Sequence, residues 1–370
     1  MRLAINAISL APGGGLTGLL GYLNAWRELG SPLKITVLAS RPAVLDAVRA
    51  CRPDIDIEPC MVNESRAKRF VFERFRLGRH VEQTGADVVM TTNSLVGRCN
   101  IPQLVHMRNL WRFVHPTLWA AWREKGISKV IRDWNTQRTL RRSICNAYIS
   151  DYLRCKAEEI VPQSAPYNHV VHNGLDHAVI ESAERVEPLW QGKGHLLAIQ
   201  GADSHKDNAT LVRTLAELVG LRPEADWRLR IAGGGDWTFY QRLAENLGVR
   251  EQIDWLGFQG PAQIDELLRE SLCLIFTSIL EGFGNPPLEA MARKCPVVAC
   301  NSTAVPEVIG DAGILVPPGD EKAFAQGILR LYDDHVYRQI LVAKGLQRIR
   351  KFCWIDSANK MRNLFALVAR

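Results

Sequence analysis

Residues 281–289 read Glu-Gly-Phe-Gly-Asn-Pro-Pro-Leu-Glu, a loop with a carboxylate at each end. The apolar stretch before it, Ser271–Ser278, predicts a buried strand, and the residues from Leu288 predict the start of a helix. Proline is accepted in the first turn of a helix, because the N–H that it lacks would have no partner there. The segment therefore predicts a strand, a glycine-rich loop and a helix in succession, as in a doubly wound α/β domain.

The two carboxylates indicate what the loop binds. Glu281 lies at the entrance of the loop, and Glu289 is predicted on the first turn of the helix. Free amides at a helix N-terminus favour anions. A carboxylate beside them has the wrong charge for a phosphate, but it accepts hydrogen bonds from sugar hydroxyls. The loop therefore predicts a nucleotide-sugar site.

Length and composition set the general class of the protein. The chain has 370 residues, of which 47% are hydrophobic and 23% are charged, and this suits two globular domains. Its nine cysteines form no C-x-x-C pair, which predicts reduced, mostly buried thiols in a cytoplasmic protein. The apolar N-terminal stretch is too short for a signal peptide, and no apolar run has the length of a bilayer span. We expect a soluble or peripheral protein.

Two stretches carry much of the positive charge, which is +7 overall. Residues 65–80 and 108–142 mix Arg and Lys with Phe and Trp. Such stretches suit an anionic membrane surface, an anionic acceptor or nucleic acid. They are equally typical of solvated helix faces whose aromatic side chains point to the core. The second stretch also interrupts the α/β pattern, either as a binding insertion or as crossover helices with buried tryptophans; its tryptophans are Trp111, Trp119, Trp122 and Trp134.

Short apolar runs alternate with helical patterns along the chain, which predicts parallel sheets with crossover helices. The alternation weakens over 177–193, which predicts a linker between domains 1–176 and 194–352. The predicted strands are Leu3–Ile8, Ile35–Leu38, Val88–Thr91, Leu104–His106, Ala147–Ser150, His195–Gln200, Leu229–Ala232, Ile253–Leu256, Leu272–Thr277 and Pro296–Ala299.

The segment from Ser278 through the 281–289 loop, together with Pro306–Gly313 and Leu315–Asp320, resembles the retaining glycosyltransferases of family 4 and their E-x7-E motif. The resemblance covers most of the C-terminal half, with weaker landmarks before it. It implies the GT-B fold, in which two Rossmann-like domains face each other across a cleft. It also implies sugar transfer from a nucleotide diphosphate sugar with retention and without a metal. Residues 353–370 resemble the closing helix that packs back on the N-terminal domain.

The resemblance implies roles for the residues of the loop. Glu289 would hold the ribose hydroxyls, and Glu281 would contact the donor sugar near the reacting centre. The backbone amides that would hold sugar hydroxyls or the diphosphate are those of Phe283, Gly284 and Asn285. Gly233, which follows another predicted strand, would border the nucleobase pocket.

The run Gln200–Asn208 resembles the diphosphate loop of the family, in which an arginine and a lysine neutralise the leaving group. Lys206 matches the lysine. Ala202 stands nearest to the place of the arginine, and the loop is one residue shorter than usual. Stabilisation of the leaving group is therefore expected to depend on Lys206, with His205 or another basic residue as a candidate helper.

The N-terminal half contributes a glycine loop. In Pro12–Gly18, Gly14 and Gly15 leave amides free for the donor, and a plain strand-helix turn is the alternative. The loop lacks the G-x-G-x-x-G pattern, and Ser40 and Arg41 stand where a dinucleotide site would have an acid, which disfavours an NAD enzyme.

His106 ends a predicted strand at the edge where ligands bind, and it resembles the family's cleft histidine, which positions the donor sugar. Arg108 and Asn109 follow it and are predicted on the acceptor side. Asp54 and Asp56 form a D-x-D pattern inside a predicted exposed strand, and we expect no metal there. No cofactor is expected beyond the nucleotide sugar itself.

These features together predict a retaining, metal-independent hexosyltransferase of mannose or rhamnose type. Its acceptor would be a glycan or a lipid-linked glycan in bacterial surface polysaccharide or lipopolysaccharide assembly. It would be cytoplasmic and could lie on the inner face of the membrane. Two alternatives stay open: a sugar-nucleotide epimerase of the same fold, and a non-catalytic protein that binds anionic surfaces or nucleic acid.

Overall fold

The computed structural model describes residues 1–60, 66–109, 127–190 and 194–369. The chain divides into two compact units, one of Met1–Asp176 with Cys353–Arg370 and one of His177–Phe352. The segment 177–193, predicted as a linker, begins with a short helix over His177–Ser182 and belongs to the second unit.

The first unit is built on a parallel sheet of seven strands in the order β3-β2-β1-β4-β5-β6-β7. The strands are β1 (Arg2–Asn6), β2 (Lys34–Ala39), β3 (Asp56–Pro59), β4 (Val88–Thr92), β5 (Gln103–Met107), β6 (Asn146–Tyr148) and β7 (Asn168–Val170). The described helices before residue 177 are α1 (Gly14–Glu28), α2 (Pro42–Cys51), α3 (Arg66–Phe75), α4 (Leu77–Gln83), α5 (Ile127–Arg142) and α6 (Asp151–Ile160).

The second unit is built on a parallel sheet of six strands in the order β10-β9-β8-β11-β12-β13. The strands are β8 (His195–Ile199), β9 (Arg228–Ala232), β10 (Ile253–Gly257), β11 (Cys273–Phe276), β12 (Val297–Cys300) and β13 (Ile314–Val316). Its described helices are α7 (His177–Ser182), α8 (Asn208–Leu221), α9 (Thr238–Asn246), α10 (Pro261–Glu270), α11 (Asn285–Ala292), α12 (Val305–Ile309), α13 (Glu321–Asp333) and α14 (His335–Ile349).

The predicted parallel α/β architecture is confirmed, because every strand pairing in both sheets is parallel. Central strands such as β4 and β11 are buried along their whole length, as strands covered on both faces must be. The edge strands β7 and β13, of three residues each, were not among the predicted strands.

The last helix, α15 (Trp354–Val368), packs on α1 within the first unit. The Trp26 indole N–H donates to the carbonyl of Ala358 at 3.1 Å, and the Trp26 ring lies 5.7 Å from that of Phe365. Gly21 lets the two helices approach, because a Cβ built on it would lie only 2.2 Å from the ring of Trp354. The helix therefore completes the core of the N-terminal unit.

No helix in the described ranges is long and apolar enough to cross a membrane. All nine cysteines lie within those ranges, and each is a free thiol.

We predict that Gly21→Ala destabilises the protein by about 1–3 kcal/mol, since the added methyl group overpacks the contact between α1 and α15. The matched control is Gly220→Ala on α8, where an added Cβ meets nothing within 4 Å. That control should be neutral or stabilising by up to about 1 kcal/mol. Thermal unfolding followed by circular dichroism measures both, and equal effects would contradict the packing account.

Candidate active site

The candidate site in the second unit lies where the strand order reverses. β8 and β11 are neighbours at this point. From β8 the chain continues toward one edge of the sheet, through β9 and β10, and from β11 toward the other edge, through β12 and β13. Ligands of open α/β sheets bind beyond the carboxyl ends of such strands. The loops that follow these two strands contain Lys206 and Glu281, so the fold itself brings the two predicted side chains to one place.

Lys206 and Glu281 form an ion pair. The Lys206 Nζ donates to the Glu281 Oε1 at 2.6 Å, and the two side chains are 19% and 16% exposed to solvent. The pair is thus shielded from bulk water yet reachable from it. A charge pair of this kind is stronger than an exposed one and fixes both groups in position.

The backbone around this pair is held by further hydrogen bonds between the two loops. The amide of Ile279 donates to the carbonyl of His205 at 2.9 Å, and the Thr277 hydroxyl donates to the carbonyl of Lys206 at 2.8 Å. The Gln200 amide group donates to the Thr277 hydroxyl at 3.1 Å. The position of Lys206 is therefore set by its neighbours before any ligand binds.

A third loop supports Glu281. Between β12 and α12, the Thr303 hydroxyl accepts a hydrogen bond from the amide of Glu281 at 3.0 Å, and the Ser302 hydroxyl donates to the carbonyl of Ile279 at 2.7 Å. Thr303 has a left-handed backbone, with φ 51°, which is uncommon for a residue other than glycine. The sequence held no motif that marks these two residues, because their role depends on contacts more than twenty residues away.

The lysine loop continues into α8. Asp207 has a left-handed backbone (φ 48°), and its carboxylate accepts a hydrogen bond from the amide of Thr210, which caps the helix. His205, the candidate helper, has a pKa lowered by burial and by the neighbouring Lys206 charge. His205 therefore adds little positive charge at neutral pH.

Ala202 packs against a glycine turn that follows β9. Its amide donates to the carbonyl of Gly234 at 3.0 Å, and a Cβ built on Gly235 would lie 2.6 Å from the Ala202 Cβ. Gly233 itself is confined, because a Cβ there would lie 2.1 Å from the carbonyl oxygen of Gln200. Close packing alone therefore explains why glycine is present at 233 and 235. A contact between Gly233 and the nucleotide sugar stays a prediction.

The E-x7-E loop ends on α11, which begins at Asn285 rather than near Leu288. Gly284 precedes the helix with φ 113°, and Pro286 lies in the first turn, where the helix needs no N–H from it. Glu289 consequently lies at the start of the second turn and not on the first, which corrects the prediction. Burial raises the pKa of the Glu289 carboxyl, and the charge of Arg293 opposes that shift.

Phe283 points its side chain into the core of the second unit. It is buried, and its ring lies 5.6 Å from that of Phe352 in an edge-to-face contact. The side chain therefore anchors the loop. A contact between the backbone amide of Phe283 and a ligand stays a prediction.

The predicted residues of the first unit gather at the carboxyl ends of β1, β4 and β5. Gly14 and Gly15 open α1, and the Arg108 Nη2 donates to the carbonyl of Gly14 at 2.9 Å. Gly18 makes room for this arginine, since a Cβ there would lie 2.3 Å from the Arg108 Nη2. Arg108, predicted on the acceptor side, thus supports the glycine loop.

Asn93, which the sequence did not single out, holds the backbone after β5. Its side-chain oxygen accepts hydrogen bonds from the amides of Arg108 and Asn109, at 2.7 and 3.0 Å. Asn93 has a left-handed backbone, with φ 62°, a region in which asparagine is enriched. Sequence alone does not give backbone angles, so this feature could not mark Asn93 in advance.

His106 lies 2% exposed beside Tyr22, with ring centroids 5.5 Å apart. Burial, and then the charge of Arg108, hold the pKa of His106 well below its usual value. The His106 Nε2, the Tyr22 Oη and the Arg108 Nη1 are buried, and within the described chain none has a hydrogen-bond partner. Buried polar atoms without partners are unusual, and a functional role is one of the explanations for them.

Other predicted features fall outside this arrangement. Asp54 of the D-x-D pattern pairs with the guanidinium of Arg52 at 2.6 Å. Among the residues that the structure describes, no group of three or more His, Cys, Asp or Glu side chains is placed to hold a metal ion. Trp134 is 54% exposed, which disagrees with a buried crossover helix at that position. Trp111, Trp119 and Trp122 lie outside the described residues.

Part of the chain is similar to known sugar-transferring proteins. Residues 181–348 match the family model "Glycosyl transferases group 1". The chain is 30% identical over 188 residues to the O-antigen chain mannosyltransferase B of Escherichia coli, a match that covers 50% of this chain and 48% of that protein. The chain spans less than half the length of the curated relatives that it matches first.

Solved structures resemble the chain over its whole length. A glycosyltransferase from Rickettsia africae aligns with a TM-score of 0.77 at 16% identity, over 100% of this chain and 98% of that one. Anabaena HepE, solved in complex with UDP-glucose, aligns with a TM-score of 0.74 at 17% identity, over 99% of each chain. These likenesses show the fold, which is the two-domain GT-B fold.

We predict that His106 makes the protein sensitive to mild acid. The unfolded chain binds a proton near pH 6.5 that the buried, neutral imidazole of the folded state does not accept. Its contribution to stability is therefore present above about pH 6.5 and is lost below it, by up to about 1.4 kcal/mol per pH unit.

Denaturant unfolding of the wild type and of His106→Gln, between pH 8 and pH 5, measures this contribution. The stability of the wild type relative to the variant should fall as the pH decreases. A constant difference across this range would contradict the buried neutral state of His106.

Proposed function

We propose that the protein is a retaining, metal-independent glycosyltransferase that uses a nucleotide diphosphate sugar. The donor binds to the second unit at the loops of Lys206 and Glu281, and the acceptor uses residues of the first unit. The observation that carries this proposal is the shielded Lys206–Glu281 ion pair at the switch point of the sheet, with Glu289 on the adjoining helix. The match of the same region to the glycosyl transferase model supports it.

Lys206 is suited to stabilise the departing diphosphate. Its ammonium is held in place by Glu281, so little reorganisation is needed when negative charge develops on the leaving group. The amides after Phe283 at the start of α11 add further donors for anionic or hydroxyl oxygens. Glu281 remains beside the sugar, where its second carboxylate oxygen is available to accept a hydrogen bond from a hydroxyl.

The proposed step breaks the bond between the anomeric carbon and the phosphate oxygen and forms one to the acceptor oxygen on the same face. The acceptor hydroxyl proton passes to the departing phosphate oxygen. No separate enzymic nucleophile is needed, which agrees with the engagement of Glu281 by Lys206. His106, neutral and shielded, is suited to orient a donor hydroxyl and is not suited to carry positive charge.

For the donor sugar we propose a hexose of mannose type, with rhamnose as the related choice. The acceptor is a glycan or lipid-linked glycan in surface polysaccharide or lipopolysaccharide assembly. The name of the E. coli relative, an O-antigen chain mannosyltransferase, supports this choice. We place the protein in the cytoplasm, peripherally on the inner face of the membrane, where such acceptors are presented.

We predict that Lys206→Ala and Glu281→Ala each reduce turnover of the nucleotide sugar by about a hundredfold or more, since each removes half of the preorganised pair. Glu266→Ala, an exposed glutamate on α10, is the matched control and should keep normal turnover. Release of nucleoside diphosphate from GDP- and UDP-sugars, with and without an acceptor glycan, measures the effect. Near-normal transfer by Glu281→Ala would contradict its role.

A further prediction concerns Glu289 and the ribose. Glu289→Ala should weaken binding of the nucleoside diphosphate by about ten- to a hundredfold, because it removes hydrogen bonds from a charged acceptor. The wild type should bind the 2′-deoxy nucleotide more weakly than the ribonucleotide. The variant should bind the two nucleotides with equal affinity. Calorimetric titration measures all four affinities. If removal of the 2′-hydroxyl weakens binding by the same factor in both proteins, the proposed contact between Glu289 and the ribose is contradicted.

A further inference from the structure

A cluster of arginines lies in the first unit, and none of its members was predicted as a site residue. It is built from α3, from the loop after β4 and from α5, and we call it the arginine cluster. Its members are Arg74, Arg98, Arg138 and Arg142. Two of the three segments come from the basic stretches 65–80 and 108–142, which are far apart in sequence.

Packing brings these segments together. A Cβ built on Gly97 would lie 2.5 Å from the Arg74 Nη1, so Arg74 packs directly on the loop that contains Arg98. The guanidinium carbons of Arg74 and Arg98 lie 5.5 and 5.2 Å from the centre of the Phe75 ring. The same loop contacts α5, because the amide of Leu95 lies 3.4 Å from the Thr139 hydroxyl that accepts its hydrogen bond.

Like charges are held close together in this cluster. Arg138 precedes Thr139 on α5, and its Nη1 is buried without a hydrogen-bond partner in the described chain. Burial, and then the charges of Arg74 and Arg142, lower the pKa of Arg138. Arginine nevertheless stays protonated at neutral pH. Within the described residues, no carboxylate forms an ion pair with a member of the arginine cluster.

Exposed apolar side chains accompany the arginines on both helices. On α3, Val71 and Phe75 are 50% and 48% exposed and share one helix face with Arg74. On α5, Trp134 is 54% exposed and lies one turn before Arg138, with Arg142 one turn further on. The surface therefore combines guanidinium groups with apolar groups that water does not favour.

We propose that the arginine cluster is a binding site for a phosphate group, provided either by a free phosphate or by an anionic lipid headgroup. Guanidinium groups bind phosphate oxygens through paired N–H donors, and a bound phosphate supplies the negative charge that the cluster lacks. The buried Nη1 of Arg138 gains a hydrogen-bond acceptor in the same event. This site does not depend on the proposed transferase activity, since none of its members belongs to the donor site.

Two arms of one experiment distinguish the two sources of phosphate, and both use the full chain. The first is co-sedimentation with vesicles of phosphatidylcholine alone or with added phosphatidylglycerol. The second is calorimetric titration with inorganic phosphate in a Lys206→Ala background, which removes the phosphate-binding lysine proposed for the second unit. Arg138→Gln and Arg142→Gln are the test variants. Arg141→Gln is the matched control, because Arg141 is exposed on the same helix and contacts Gln137.

Each test variant should bind its phosphate source about fivefold more weakly, and the control should bind normally. Loss of vesicle binding alone identifies a headgroup, and loss of free-phosphate binding identifies a soluble ligand. Arg142 is exposed, so its variant is expected to fold even if Arg138→Gln is destabilised, and circular dichroism checks this. The proposal is overturned if neither probe binds, if Arg141→Gln loses as much as Arg142→Gln, or if vesicles without phosphatidylglycerol bind equally well.

Discussion

The ion pair between Lys206 and Glu281 is the interaction on which the candidate donor site depends. It joins the loops after β8 and β11, two strands that are adjacent in the sheet but separated by more than seventy residues in the chain. The same loops are held by hydrogen bonds that Thr277 and Ile279 donate and by one that the Thr303 hydroxyl accepts from the amide of Glu281. A lysine held in this way presents its charge at a fixed point, which is what stabilisation of a departing diphosphate requires.

A comparable principle operates in the first unit, where Arg108 is held beneath the glycine loop. Its guanidinium donates to the carbonyl of Gly14, while the Tyr22 Oη and the His106 Nε2 are buried and have no hydrogen-bond partner among the described residues. Burial, and then the charge of Arg108, lower the pKa of His106 and keep its ring neutral. The glycine loop and the histidine are thus linked by one arginine, which gives Arg108 a positioning role that differs from its predicted contact with the acceptor.

The sequence was sufficient for the fold, because strand periodicity is a local signal, whereas the roles assigned to Glu281 and Glu289 stay predictions. It also located Lys206, since that residue follows a strand and precedes a helix. It did not reveal Thr303, Asn93 or the packing of Ala202 on the glycine turn, because each depends on segments brought together by the fold. The start of α11 was misplaced by three residues, since the helix was predicted from Leu288 but begins at Asn285, with Pro286 and Pro287 in its first turn.

The central claim is that Lys206 serves the diphosphate of a bound nucleotide. The most direct test is the affinity of the wild type and of Lys206→Ala for a nucleoside diphosphate and for the corresponding monophosphate, measured by calorimetry. The wild type should bind the diphosphate at least about tenfold more tightly than the monophosphate, as one charge-assisted contact implies. The variant should lose that preference while it keeps its affinity for the monophosphate. An unchanged preference in the variant, or no nucleotide binding by the wild type, would contradict the account.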